Sequence, residues 1–188
     1  MEPEFTLDEI EKALTGKSDI EYPVDKMKSL FSQELQEFNP LAKAIEIQCY
    51  FGDRIGKVGS LNMLLDTNII RNKKDVRGLY VFIHQGNPFY AGITRNLPFR
   101  IQQHVKGHNG VTATLAYRIA RNLYTNKYKT EPEAWKGEKF KRFVNPVKEV
   151  LMNKQLAFAP IENDIEMALF EIYFATKFRT LHNHFRTH

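Results

Sequence analysis

Between residues 78 and 104 the chain reads GLYVFIHQGNPFYAGITRNLPFRIQQH, a stretch that holds Tyr80, Tyr90, Gly92, Arg100 and His104. An arginine is a planar, permanently charged fork that suits the non-bridging oxygens of a phosphate. Tyrosine and histidine side chains exchange protons, although a tyrosine with its ordinary pKa of about 10 needs nearby positive charge to act as a base near neutrality. Far along the chain, DIEMALFEIYFATKFRTLHNHF sets Glu171 inside an apolar run, with Ala168 and Ala175 as its small neighbours. A carboxylate on a largely buried helix is costly unless a cation or metal compensates it, which makes Glu171 a candidate metal ligand. Glu166 and Glu162 are the alternative carboxylates, but they lie nearer the helix start, where a negative charge can simply favour the dipole. An activated water, a neutralised phosphate and a stabilised leaving oxygen are what phosphodiester hydrolysis requires, and these residue types cover all three. Each also has a plainer reading: packing for a strand tyrosine, a solvated face for an arginine, a surface position for His104.

The elements that must position these residues are legible from periodicity. In GLYVFI, alternation puts Leu79, Val81 and Ile83 on one face and Tyr80 and Phe82 on the other. HQGNP supplies turn residues and PFYAGIT a second strand, so an antiparallel hairpin is expected, with Tyr90 and Gly92 on one face and Phe89, Ala91 and Ile93 on the other. Asn96 caps the following helix and Pro98 sits in its first turn. Leu97, Ile101 and Val105 form its buried stripe, while Arg100 and His104, four apart, are neighbours on another face.

This segment resembles the core of the GIY-YIG nuclease superfamily, with Gly78-Leu79-Tyr80 standing for the first tripeptide and Tyr90-Ala91-Gly92 for the second. Leu79 and Ala91 replace the family's isoleucines on the face opposite the tyrosines, an apolar-for-apolar change. The resemblance implies that Arg100 is the family's arginine, His104 its frequent helix histidine, Glu171 its metal-binding glutamate and Asn183 the asparagine that often follows it. It also implies that Tyr80 is the general base, with His104 the competing base or a phosphate contact and Tyr90 a residue that orients substrate or metal-bound water. Asn183 can equally be a helix-ending cap. The implied cofactor is Mg²⁺ or Mn²⁺, the partner is DNA, and the implied activity is that of a restriction-type endonuclease, with phage or mobile-element biology and repair as other settings. A protein that keeps the fold but only binds nucleic acid is the alternative.

The remaining chain is expected to complete an α/β fold, a small antiparallel sheet of three strands flanked by helices, with a helical region over residues 1–70 and the nuclease domain over 71–188. Thr6 and Glu9 form a possible capping box before a helix over 6–15, and a second amphipathic helix is expected from Val24 to about Gln48, interrupted at Asn39-Pro40. Residues 107–154 form a basic helical insertion: TATLAYRIARNLY packs Leu115, Ile119 and Leu123 with Arg118 and Arg121 facing out. Lys136, Lys139, Lys141 and Arg142 are candidate phosphate contacts, or a solubilising face. QLAFAPI then supplies the third strand. In the helix after it, Leu169, Ile172, Tyr173 and Thr176 mark the stripe.

Charge is segregated along the 188 residues: 7 Lys/Arg against 13 Asp/Glu in residues 1–66, but 13 against 4 in residues 95–155. The second half is thus suited to a polyanion or, equally, carries a solvated basic helix face. The single cysteine, the acidic N-terminus and the lack of any membrane-length run imply an intracellular, cytoplasmic protein, nucleoid-associated if bacterial, with no membrane partner. One site cuts one strand, so a homodimer is expected for double-strand cleavage. His182-Asn183-His184 spells the name of another nuclease family but lacks its strand-strand-helix context. His182, His184 and His188 are the other metal-binding reading, weighed against a frayed polar end.

Overall fold

The computed structural model describes residues 5–17, 24–47, 76–130, 132 and 140–183. Its centre is strand β2 (Gly78–His84), buried along its whole length. A four-stranded antiparallel sheet is built around it from β1 (Ile45–Glu46), β3 (Asn87–Thr94) and β4 (Gln155–Pro160), in the order β1-β4-β2-β3. The expected three strands are therefore all present, and the two-residue β1 extends the sheet beyond β4. Among the described residues no helix is long and apolar enough to cross a membrane.

The turn between β2 and β3 is only Gln85-Gly86, both at positive φ (48° and 75°), the geometry of a tight hairpin whose twist matches its strands. Gly78, the first motif glycine, pairs with both neighbours. A Cβ there would lie 2.0 Å from the carbonyl oxygen of Ala159, so the position admits glycine alone. Alternation sorts the side chains as expected on β2: Tyr80 and Phe82 belong to one apolar cluster and Leu79, Val81 and Ile83 to the other, across the sheet. In β3 the pattern departs from strict alternation. Tyr90 pairs with Phe82 and Pro88 with Ile83, so Phe89 is the extra residue of a bulge and packs in the same cluster as Tyr90 rather than opposite it.

The Tyr80 face is covered by α1 (Leu7–Ala13), α3 (Leu97–Lys106), α4 (Thr114–Tyr128) and α5 (Lys141–Met152). The Thr6–Glu9 capping box is formed in full, and Phe5, Ile10 and Leu14 enter this core. Helices α4 and α5 do more than decorate it: Tyr117, Ile119, Phe143, Val147 and Leu151 are part of it. The opposite face packs against α6 (Asp164–Lys177) and a 3-10 helix (Val24–Leu30), with Phe31 against Phe170 and Tyr173.

Two further sequence expectations change. The long helix from Val24 to Gln48 is instead the 3-10 helix, a single turn α2 (Gln33–Gln36) and then β1. Ser32 is the reason, because its hydroxyl caps Leu35 and starts a new helix where the old one would have continued. On α6 the buried stripe is Met167, Phe170, Tyr173 and Phe174, while Leu169 and Ile172 are exposed and Thr176 is half-buried. The helix is apolar nearly all round, so periodicity alone could not choose its inward side.

Candidate active site

Asn96 accepts the backbone N–H of Phe99 and starts α3 where the sequence places it, and Leu97, Ile101 and Val105 anchor that helix on the sheet. Arg100 and His104 then project from one helix face toward Tyr80 on β2. His104 is completely buried, which removes the surface reading. Its Nε2 lies 2.7 Å from the Tyr80 hydroxyl, and Arg100 Nε donates to the same hydroxyl at 3.2 Å. The Tyr80 hydroxyl accepts from Arg100 and shares a hydrogen bond with His104 Nε2 whose direction is set by the imidazole tautomer; with the proton on Nδ1, Tyr80 is the donor. That Nδ1 is buried without a hydrogen-bond partner among the described residues.

Arg100 is held from its other side by Gln103 Oε1 at 3.0 Å and the Thr112 carbonyl at 3.4 Å. Tyr90 is half-buried, its ring 6.1 Å from that of Tyr80, and its hydroxyl interacts with both Tyr80 and Arg100. Glu171 is half-buried on α6, close enough for Arg100 to act on its charge, and has no hydrogen bond or ion pair to any described residue. Tyr80, Tyr90, Arg100 and His104 thus form one cluster, and Glu171 lies within range of the Arg100 charge.

Burial dominates its electrostatics. It pushes the Tyr80 hydroxyl well above the usual tyrosine range, Tyr90 adds to the rise, and the adjacent Arg100 offsets only part. The positive charge anticipated beside Tyr80 is present but does not win against desolvation. Burial also drives His104 well below the usual histidine value, assisted by Arg100 and by Arg118. Glu171 is raised to about 7 by burial, with Arg100 opposing the rise. At neutral pH the Tyr80–His104 pair is uncharged and Glu171 is poised between its two forms.

Gly92 faces the Tyr80 ring. It lies directly across from Tyr80, and a Cβ there would sit 2.5 Å from the Tyr80 hydroxyl. The second motif glycine is the floor on which the tyrosine ring lies. Gly92→Ala is expected to lower the turnover of a substrate-cleaving assay by about a hundredfold through displacement of that hydroxyl, with the helix content in circular dichroism unchanged.

Asn183 is likewise structural. Its Oδ1 accepts from the Ala91 N–H, its Nδ2 donates to the Ala91 carbonyl, both at 2.8 Å, and the Thr180 hydroxyl donates to Oδ1 at 2.9 Å. With the His182 N–H on the Phe89 carbonyl, residues 180–183 close the exposed edge of β3. Asn183→Ala leaves two buried backbone groups unpaired, and thermal unfolding should report a loss of about 2 kcal/mol.

The other candidates are scattered. Arg118 is half-buried, not outward-facing, and donates to the carbonyl of His182. Arg121 is half-buried, Lys141 half-buried at the start of α5, and Arg142 exposed with its guanidinium 4.9 Å from the Phe143 ring centroid. Lys136 and Lys139 lie outside the described residues, as do His184 and His188. His182 is buried, with Nε2 on the Ala13 carbonyl at 2.9 Å, which is a packing role. Gln103 and Lys148 were missed. Gln103 sits three residues from Arg100 on one helix face, a spacing that could have flagged it. Lys148 donates to the Gly107 carbonyl at 3.1 Å, and burial together with Lys141 lowers its pKa.

Residues 76–144 match the family model described as the GIY-YIG catalytic domain. No curated protein and no solved structure matches the chain. The match spans Tyr80, Tyr90, Arg100 and His104, the residues that the fold gathers, and ends before Glu171. A nuclease-type fold acting on nucleic acid follows for this segment, and residues 76–144 resemble the catalytic domain of the GIY-YIG nuclease superfamily.

Proposed function

We propose that the chain is a divalent-metal-dependent DNA endonuclease that serves restriction, defence against phage or mobile elements, or repair. The observation that carries this reading is a hydrogen-bonded Tyr80–His104–Arg100 group together with a half-buried carboxylate that has no hydrogen bond or ion pair among the described residues and feels the charge of the same arginine. Glu171 fits a hard cation that keeps most of its own waters, because it is a single carboxylate relieved of its burial cost by positive charge. Among the described residues no three His, Cys, Asp or Glu side chains gather into a closed cage, so the donor set suits Mg²⁺ or Mn²⁺ better than a structural zinc. Bound through Glu171, the ion would neutralise charge on the phosphate and the leaving oxygen.

The protein's own residues supply the rest. Arg100 contacts a non-bridging oxygen of the scissile phosphate, held in place by Gln103 and the Thr112 carbonyl. Tyr80 takes the proton of the attacking water as its own hydrogen passes to His104 Nε2, so the pair, not the isolated tyrosine, is the base. The incoming phosphate favours this transfer, since burial keeps His104 neutral and its negative charge offsets the two arginines that add to that effect. Tyr90, the more accessible of the two tyrosines, orients the water or the phosphate. Lys141 and Lys148, both half-buried, are the proposed contacts to the backbone of the nucleic acid.

Incubation of the purified protein with supercoiled plasmid and Mg²⁺ tests the reading. Nicking or linearisation that disappears in EDTA and in Glu171→Gln supports it. Salt-sensitive DNA binding without cleavage under any divalent metal would instead identify a binding protein of the same fold.

A further inference from the structure

The connection between α3 and α4, residues 107–113, reaches Arg100 through the Thr112 carbonyl. Its organiser is Asn109, an exposed residue whose hydrogen bonds stay within the loop. Asn109 Oδ1 accepts the Val111 and Thr112 N–H groups, both at 3.0 Å, and the Thr112 hydroxyl at 3.1 Å. Its carbonyl accepts the Ala113 N–H at 2.9 Å. An asparagine that takes N–H groups two and three residues on fixes a turn by local bonds alone. Three helices then clamp the loop. The Gly107 N–H donates to the Gln103 carbonyl of α3 at 2.9 Å, the Tyr117 hydroxyl of α4 to the His108 carbonyl at 3.2 Å, and Lys148 of α5 to the Gly107 carbonyl at 3.1 Å. Gly107 permits this close approach, since a Cβ there would lie 2.3 Å from the Gln103 carbonyl oxygen and 2.7 Å from the Thr112 hydroxyl.

What the loop delivers is one acceptor in a fixed place. A guanidinium carries its N–H groups in a rigid fork. In Arg100 the Nε hydrogen serves Tyr80, and the two hydrogens of Nη1 serve Gln103 Oε1 and the Thr112 carbonyl. By count, the N–H groups of Nη2 are those left for the Tyr90 hydroxyl and a phosphate oxygen. Both acceptors of Nη1 are neutral. A carboxylate in either place would hold the fork as well, but it would offset the positive charge that a phosphate needs. If the Thr112 carbonyl moves, the guanidinium loses one of its three fixed points and can turn another edge toward the substrate.

We infer that Asn109 is a positioning residue for Arg100: by folding the 107–113 turn it places the Thr112 carbonyl, which fixes the edge that the guanidinium presents to the scissile phosphate. The phosphate rests on the nuclease reading, whereas the aim of the guanidinium does not. Displacing a reacting group by about 1 Å can cost a hundredfold in rate, so Asn109→Ala should lower kcat by about ten- to a hundredfold. KM should hold nearly steady, because the interaction lost is one made in the transition state. Asn109→Asp keeps an oxygen on the same N–H groups and should restore most of the rate.

The deciding measurement depends on no activity. Nitrogen-15 NMR of the full chain, cold and without nucleic acid, follows rotation of the Arg100 guanidinium through exchange between its Nη1 and Nη2 signals, which Arg100→Lys identifies by their loss. In Asn109→Ala this exchange should speed up about tenfold, the worth of one hydrogen bond. In Asn109→Asp it should stay close to that of the unmodified protein. Asn109 is exposed and its bonds are local, so melting curves should show the variant folded. Thr112→Val, which removes only the hydroxyl part of the clasp, is the milder second variant and should act in the same direction. Unchanged exchange in Asn109→Ala, or in Thr112→Val if the former does not fold, overturns the inference, as does an acceleration that Asn109→Asp fails to reverse. If the unmodified protein leaves plasmid intact in Mg²⁺, the nuclease reading fails, and the exchange rates still decide whether Asn109 positions Arg100. If it cuts, kcat should fall as exchange quickens, and a rise in KM alone overturns the positioning role.

Discussion

Glu171→Gln should abolish cleavage, by about a thousandfold or more, while making the metal-free protein more stable at pH 8. The two effects have one cause. Burial raises this carboxyl from 4.5 to about 7, so the folded state retains a proton that the unfolded chain has released across that interval. The folded pKa lies above the unfolded one, and stability is therefore lost as pH rises from 4.5 to 7 and stays low beyond it. Glutamine keeps the shape without the charge and escapes the penalty. Allowing for solvent screening of a half-buried group, the gain at pH 8 should be about 1–2 kcal/mol, falling to nothing below pH 4.5. Thermal melts of both proteins across pH, in EDTA, measure this directly. Mg²⁺ should raise the melting temperature of the unmodified protein and leave Glu171→Gln where it was. Proton and metal compete for the same carboxylate, so the acid limb of cleavage should lie near pH 7 at limiting Mg²⁺ and move to lower pH as Mg²⁺ increases. A limb that ignores metal concentration, or a glutamine variant that still cuts, would remove Glu171 from the site.

The parts of this architecture that the sequence announces are those set by local chemistry. Gln85-Gly86 specifies a tight hairpin, Thr6 with Glu9 a capping box, and Asn96 with Pro98 a helix start, and each is formed. Tyr80, Arg100 and His104 are legible because strand alternation and a four-residue helical spacing aim them before any tertiary contact exists. What the sequence hides is set at a distance. The bulge that carries Phe89 onto the Tyr90 face depends on the cross-strand register, and the face of α6 that turns inward depends on what packs there. The roles of Gly92 and Asn183 were hidden in the same way. Both carry the right residue type for a site, yet one makes room for Tyr80 and the other closes a strand edge. Burial is the commonest missing quantity. It reverses the expected lowering of the Tyr80 pKa, although the arginine needed for that lowering is where the spacing puts it.

Tyr80→Phe should reduce cleavage about a thousandfold with little change in DNA affinity, and it separates a two-residue base from a single one. Phenylalanine keeps the ring that packs against Phe82 and Tyr90 and lies over Gly92, so the core survives. Only the hydroxyl is lost, and with it both the acceptor for Arg100 and the hydrogen-bond partner of His104 Nε2. If the histidine alone were the base, it would still face the site in this variant, and activity would fall by far less. If tyrosine alone were the base, His104→Gln would be mild, because glutamine can still accept the Tyr80 hydrogen. The coupled pair requires that both substitutions be severe and that the double variant be little worse than either, the non-additivity of groups acting as one unit. Burial supplies the reason for the coupling. A phenolate at Tyr80 is too costly to exist beforehand, and a protonated His104 is disfavoured beside Arg100 and Arg118, so neither charge forms until the substrate phosphate arrives to balance it.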